Sequence, residues 1–257
     1  MWDVLFNNYI LFLLIFARVA GAVLFNPIFG RGNIPSIAKM GFCFFISIIF
    51  VGILPPFDVQ ATWDIFIFFF TCGKELLIGF FIGFIMQLFL SVLILGGDFV
   101  DLQLGVGMAK IYDPQSHVSM SLVGSIFNIF YMVLFFTSGG HLTFLKVIFY
   151  SFNILPLGTV GINPQFAHYS TLLFGNILIL ALKLALPVIA VEVVTEMSLG
   201  VLMRTVPQVN VFAVGMQLKL LVGLGLIVLI FPSFFSFFDT ITNTMFQAIQ
   251  TGFTQIT

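Results

Sequence analysis

The sequence predicts an all-α membrane protein with about six long apolar helices, and three observations carry that reading. Charged residues make up 7% of the chain and hydrophobic residues 60%, where a soluble domain carries about 25% charged residues to cover its surface. The stretches 76–97, 118–145, 147–182 and 220–238 contain no Asp, Glu, Lys or Arg, and about 20 apolar residues suffice to cross a hydrocarbon core as helix. The apolar runs are divided by Gly and Pro, which punctuate helices rather than extend them.

The elements follow from that punctuation. A first segment, 4–26, is interrupted only by Arg18 and closes at Asn26-Pro27; Gly30 to Pro35 forms the connection to a second, 37–55, which ends at Pro55-Pro56. The third, 64–95, stops at Gly96-Gly97. The fourth, 122–157, carries a break at Gly139-Gly140 and ends at Leu155-Pro156-Leu157-Gly158. The fifth, 171–203, and the sixth, 211–238, flank Val206-Pro207, and a polar tail is expected after Asp239. Arg31, Lys39, Lys110 and Arg204 all fall in odd-numbered connections, with Lys146 alone on the other side. The positive-inside rule therefore places the odd loops in the cytoplasm and the amino terminus outside.

Several functional classes recede at once. The opening Met1-Trp2-Asp3 lacks a basic region and Arg18 interrupts the apolar run, so a cleaved secretory signal is not expected. A net charge of −1 offers no field for nucleic acid. Cys43 and Cys72 each lie in an apolar run, as small core residues do. His117, His141 and His168 have no Cys or carboxylate at ligand spacing, so neither a metal nor a cofactor is expected. No Walker-type loop or Ser/His/Asp arrangement points to an enzyme.

The charges inside apolar segments carry more information, because an ionisable group at membrane depth costs at least ~2.5 kcal/mol and needs a partner. Lys74 and Glu75 are adjacent and face different sides of a helix, so each needs a partner from elsewhere. Glu192 and Glu196 share one face at i,i+4, and Lys183 lies on the opposite side. If the chain reverses around Pro207-Gln208, Lys219 stands opposite Glu196, which predicts a structural ion pair across the hairpin. Gly79 and Gly83 show the small-xxx-small spacing that lets helices approach closely, and Gly223 and Gly225 thin the sixth segment. The stretch 96–121 mixes Asp98, Asp101, Gln103, Lys110 and Asp113 with Gly105, Gly107, Met108 and Met120. By residue type alone it reads as a connecting loop; irregular backbone of this kind also suits a segment entering a cavity.

A set of motifs spread over nearly the whole chain then narrows the field. Phe16-Ala17-Arg18-Val19, Phe25-Asn26-Pro27-Ile28-Phe29-Gly30 and Asn33-Ile34-Pro35 come first. Leu102-Gln103-Leu104-Gly105, Tyr112-Asp113-Pro114, Gly140-His141-Leu142 and Leu155-Pro156-Leu157-Gly158 follow. Leu184-Ala185-Leu186-Pro187, Pro207-Gln208-Val209-Asn210-Val211-Phe212 and Lys219-Leu220-Leu221-Val222-Gly223 complete the set. Together they resemble the FliR family of the flagellar type III export gate, which is related to an injectisome export-apparatus subunit.

The resemblance implies a non-enzymatic subunit that joins FliP-like and FliQ-like partners around a channel for unfolded export substrates. FlhA-like and FlhB-like components would act beside it as separate chains in the bacterial inner membrane and flagellar basal body. It implies helical hairpins, with a FliP-like front part over 1–170 and a FliQ-like hairpin with its tail over 171–257. It also implies a plug near 105–120, carried here by Gly105, Gly107, Met108, Tyr112, Asp113 and Met120. Helices of this family sit partly above the bilayer plane, so hydropathy spans need not equal membrane crossings. Alternatives are an injectisome subunit, a secondary transporter, which would need matching broken helices in two similar halves, and an intramembrane enzyme using Glu192 and Glu196.

Overall fold

The computed structural model describes residues 2–54, 65–106, 121–158, 164–205 and 211–256. Among them run seven helices: α1 (Trp2–Leu24), α2 (Ser36–Ile53), α3 (Ile65–Leu104), α4 (Leu122–Thr137), α5 (Gly140–Ile154), α6 (Pro164–Thr205) and α7 (Val211–Ile256). The fourth apolar segment of the sequence yields two helices because Gly139 sits at φ +77, a left-handed conformation that ends helical propagation. The break at Gly139-Gly140 was expected; a difference lies at the far end, where α7 continues to Ile256 through the stretch expected to be a polar tail.

Among the described residues, four helical stretches are long and apolar enough to cross a membrane: Ser36–Ile53, Ile65–Leu104, His168–Thr205 and Val214–Gln255; α4 and α5, taken together, would make a fifth. With 40, 42 and 46 residues, α3, α6 and α7 have contour lengths of about 60–70 Å. A hydrocarbon core is about 30 Å thick, so each is longer than one crossing requires.

The chain packs as two units. The first comprises 1–88, 139–173 and 243–257. In α1 the buried residues Leu11, Leu14, Ile15, Arg18, Val19, Ala22 and Val23 recur at helical spacing. That stripe lies on α3, where glycines let backbone meet backbone. A Cβ on Gly83 would stand 2.8 Å from the Phe25 carbonyl carbon, and one on Gly79 would stand 2.7 Å from the Ala22 nitrogen and run into the Arg18 carbonyl. The small-residue spacing of 79 and 83 thus marks a real helix crossing. Asn26 ends α1 by accepting from the Ile28 and Phe29 amides at 2.7 and 3.2 Å, a side-chain turn that hands the chain to Pro27. On α2, Phe50 packs against Phe149 and Phe152 of α5. The end of α7 joins this unit through Phe253, which meets Phe81, and through the Ala248 carbonyl, which accepts from the Tyr169 hydroxyl at 2.6 Å.

The second unit comprises 89–138 and 174–242. Gly97 of α3 and Gly124 of α4 cross so closely that a Cβ on the former would overlap the latter's backbone. Gly96 faces Ala181 and Leu184 of α6. Aromatic rings fill the α4–α7 seam: Phe127 against Phe234 at 4.9 Å and Phe130 against Phe231 at 4.4 Å. The Thr242 hydroxyl reaches that of Tyr131 at 3.2 Å.

Candidate functional site

Three clusters of polar residues stand inside this apolar framework. In the first unit, Arg18 is fully buried among α1, α3 and α5. Its Nε donates to Glu75 Oε2 at 2.6 Å, one terminal nitrogen donates to Ser151 Oγ at 3.2 Å and the other to the Leu155 carbonyl at 3.0 Å. The Phe152 ring lies 4.2 Å beneath the guanidinium carbon. Glu75, also fully buried, accepts from the Gly158 amide at 2.9 Å through its other oxygen. One charge pair thereby ties α1 and α3 to the end of α5 and to the turn after it. The partner that Glu75 needed is Arg18; its neighbour Lys74 instead sits 5.4 Å from the Phe70 ring. Sequence reasoning marked Glu75 as a charge in need of a distant partner and noted Arg18 only as an interruption of the first apolar run, so it did not join them.

In the second unit, α6 and α7 are antiparallel where their charges lie. Lys219 Nζ binds Glu196 Oε1, a pair still partly open to the surroundings. One turn earlier on α6, Glu192 is fully buried, and neither of its carboxylate oxygens has a hydrogen-bond partner among the described residues. Its Oε1 lies over Gly223 of α7, 2.9 Å from where a Cβ there would be, and the Leu104 side chain covers the same glycine. Lys183 is exposed.

The third cluster stands at the base of the 105–120 stretch. Asp101, in the last turn of α3, accepts from Ser121 Oγ at 2.8 Å and from the amides of Leu122 and Val123 at 2.6 and 3.2 Å. Ser121 in turn caps α4 by accepting from the Gly124 amide at 2.9 Å. The free amides of a helix start and a carboxylate complement one another in charge and hydrogen bonding, so Asp101 fastens the beginning of α4 to the end of α3. Gly105 follows α3 at φ +75, a conformation suited to glycine. Of the other residues assigned to the plug by resemblance, Gly107, Met108, Tyr112, Asp113 and Met120 lie outside the described residues.

Among the described residues no group of three His, Cys, Asp or Glu could hold a metal ion. Cys43 is buried and Cys72 half-buried, both as free thiols. His141 and His168 fall in different places, one half-buried and the other exposed; His117 lies outside the described residues.

Residues 9–245 match the family model described as bacterial export proteins, family 1. The chain is 30% identical over 235 residues to the flagellar biosynthetic protein FliR of Escherichia coli strain K12, covering 90% of this chain and 88% of that one. It is 29% identical over 218 residues to FliR of Bacillus subtilis strain 168, with 82% of each chain covered. It is also 30% identical over 215 residues to the surface presentation of antigens protein SpaR of Shigella flexneri, covering 83% and 82%.

Proposed function

Because the chain belongs to family 1 of the bacterial export proteins, as a FliR-type subunit of a type III export apparatus embedded in the membrane, we propose that it builds the flagellar export channel together with FliP-like and FliQ-like partners. In this reading it is a scaffold and channel wall for unfolded flagellar building blocks rather than an enzyme, and FlhA-like and FlhB-like components act beside it. The observation that carries the reading is the match over 9–245. The apolar outer faces of the α6–α7 hairpin support it: Val194, Met197, Val201, Leu221, Val228 and Leu229 are each more than 60% exposed. Exposed apolar side chains in such number on one hairpin are suited to lipid or a packed partner.

The flagellar assignment rests on the names of the FliR relatives, and the SpaR likeness keeps an injectisome role as the second reading. Complementation separates them. A flagellar-export null strain expressing this chain should regain hook and filament proteins in its medium, and failure to regain them, with the chain present in the membrane, contradicts the flagellar assignment.

The plug belongs to this proposal as well. Gly105, Gly107, Met108, Tyr112, Asp113 and Met120 would close the resting channel, and the fastening of α4 to α3 by Asp101 supports a segment whose two ends are held together. Deleting 107–112 should raise ion leakage through the assembled gate; unchanged conductance would remove the plug assignment while leaving the subunit's place in the assembly intact.

A further inference from the structure

We propose that the Glu192 carboxyl is a proton-binding site of the α6–α7 hairpin, protonated in the conformation described here, and that Lys219 passes from Glu196 to Glu192 when that proton leaves. Three observations on the two helices carry this. First, Glu192 is fully buried and neither oxygen finds a hydrogen-bond donor among the described residues. An ionised carboxylate in apolar surroundings without donors is far costlier than its neutral form, so the group takes up a proton instead.

Second, the site is shaped for a side chain without a salt bridge. Gly223 leaves room for Glu192 Oε1, and Leu104 of α3 closes over the same glycine. Among the described residues, Lys219 from α7 and Glu196, one turn further along α6, are the charged groups beside Glu192 on the two helices, and they are paired with each other. On α3, Asp101 is already engaged by Ser121, Leu122 and Val123.

Third, the geometry provides a cation for the other state. Lys219 and Gly223 are one turn apart on α7, and Glu196 and Glu192 are one turn apart on α6. The ammonium that now rests on Glu196 therefore lies one helical turn from the Glu192 carboxyl, at the end of a flexible four-carbon stem. Loss of the proton to solvent leaves a carboxylate that Lys219 neutralises, and Glu196, the more exposed partner, is released to water or to a neighbouring chain. The hairpin then has two arrangements separated by one proton.

The test is infrared difference spectroscopy of the full-length chain, extracted with whatever partners it retains, between acidic and alkaline buffer. The expected spectrum contains the carbonyl stretch of a buried protonated carboxyl that vanishes at high pH, is absent in Glu192→Gln and is retained in Glu196→Gln. In Lys219→Met the band should persist to higher pH than in the wild type, because the ionised form has lost its counter-charge. Identical carboxyl bands in wild type and Glu192→Gln, or an unmoved pH profile in Lys219→Met, would overturn the proposal. Gln is the neutral isostere of the protonated acid, so Glu192→Gln should assemble as wild type does. Its failure to assemble would mean that the ionised form is required, which also overturns the proposal.

Discussion

Removing one member of the Arg18–Glu75 pair should cost far more than the net worth of the pair, and a double substitution separates the two quantities. Both side chains are fully buried and meet at 2.5 Å. Among the described residues, Glu75→Leu leaves a guanidinium in an apolar interior with Ser151 and the Leu155 carbonyl to receive its protons; Arg18→Met leaves a carboxylate with the Gly158 amide as its hydrogen-bond donor. Each uncompensated charge costs about 3–5 kcal/mol. In the double variant both charges are gone. Ser151 keeps its bond to the Ile148 carbonyl at 2.6 Å, and the groups left without their partner are the Leu155 carbonyl and the Gly158 amide, at about 1–3 kcal/mol each. The double variant should therefore lose about 2–6 kcal/mol where the single losses together amount to about 6–10, a coupling of about 4 kcal/mol, at or slightly above the usual scale for residues in direct contact.

The assay is the temperature at which half of the detergent-extracted protein loses its monodisperse elution peak. Each single substitution should lower it by roughly 6–20 °C for a chain of this size, with the double variant close to the milder single. A double variant that loses as much as the two singles combined would refute the argument that the cost lies in an unpaired buried charge.

Other consequences follow from the packing. Gly79→Leu should dissolve the α1–α3 crossing, since even a Cβ there meets the backbone of Arg18 and Ala22, and overpacking costs about 1–3 kcal/mol or more; wild-type yield and heat resistance would contradict it. Asp101→Ala should speed amide exchange at Leu122 and Val123 about tenfold, the equivalent of the ~1.4 kcal/mol that a lost helix cap typically approaches, with Asp101→Asn in between; equal protection in all three forms would exclude the clasp. Glu196→Lys and Lys219→Glu should each weaken co-purification of partners, and their combination should restore it. The pair's own effect on stability is at most about 1 kcal/mol because it is partly exposed, so absence of rescue would remove the pair from the interface.

The helical framework was legible because apolar runs in a chain with so few charges have one stable form at membrane depth. The antiparallel hairpin was legible as well, since a reversal centred on Pro207-Gln208 places residues 196 and 219 across from one another. What remained hidden has particular causes. Arg18 and Glu75 stand 57 positions apart, and no local spacing rule joins residues of parallel neighbouring helices. The last turns of α7 looked like a tail because Asp239, Thr240, Thr242, Asn243 and Thr244 dominate the local composition. Yet Ile241, Met245, Ile249 and Phe253 recur every four residues and are fully buried, a helical stripe that a window average conceals. The role of Asp101 was obscured in the same way, by its place within a stretch whose polar residues read as a loop. Its carboxylate instead caps the helix that begins 21 residues later.

In the function proposed above, this chain forms one wall of a multi-subunit export channel. The measurement that tests it most directly is native mass spectrometry of the complex extracted from membranes, with a tag on this chain and its genomic neighbours co-expressed. One copy of this chain bound to several copies each of two smaller apolar proteins is expected; a monomer or a homo-oligomer would contradict the proposed function.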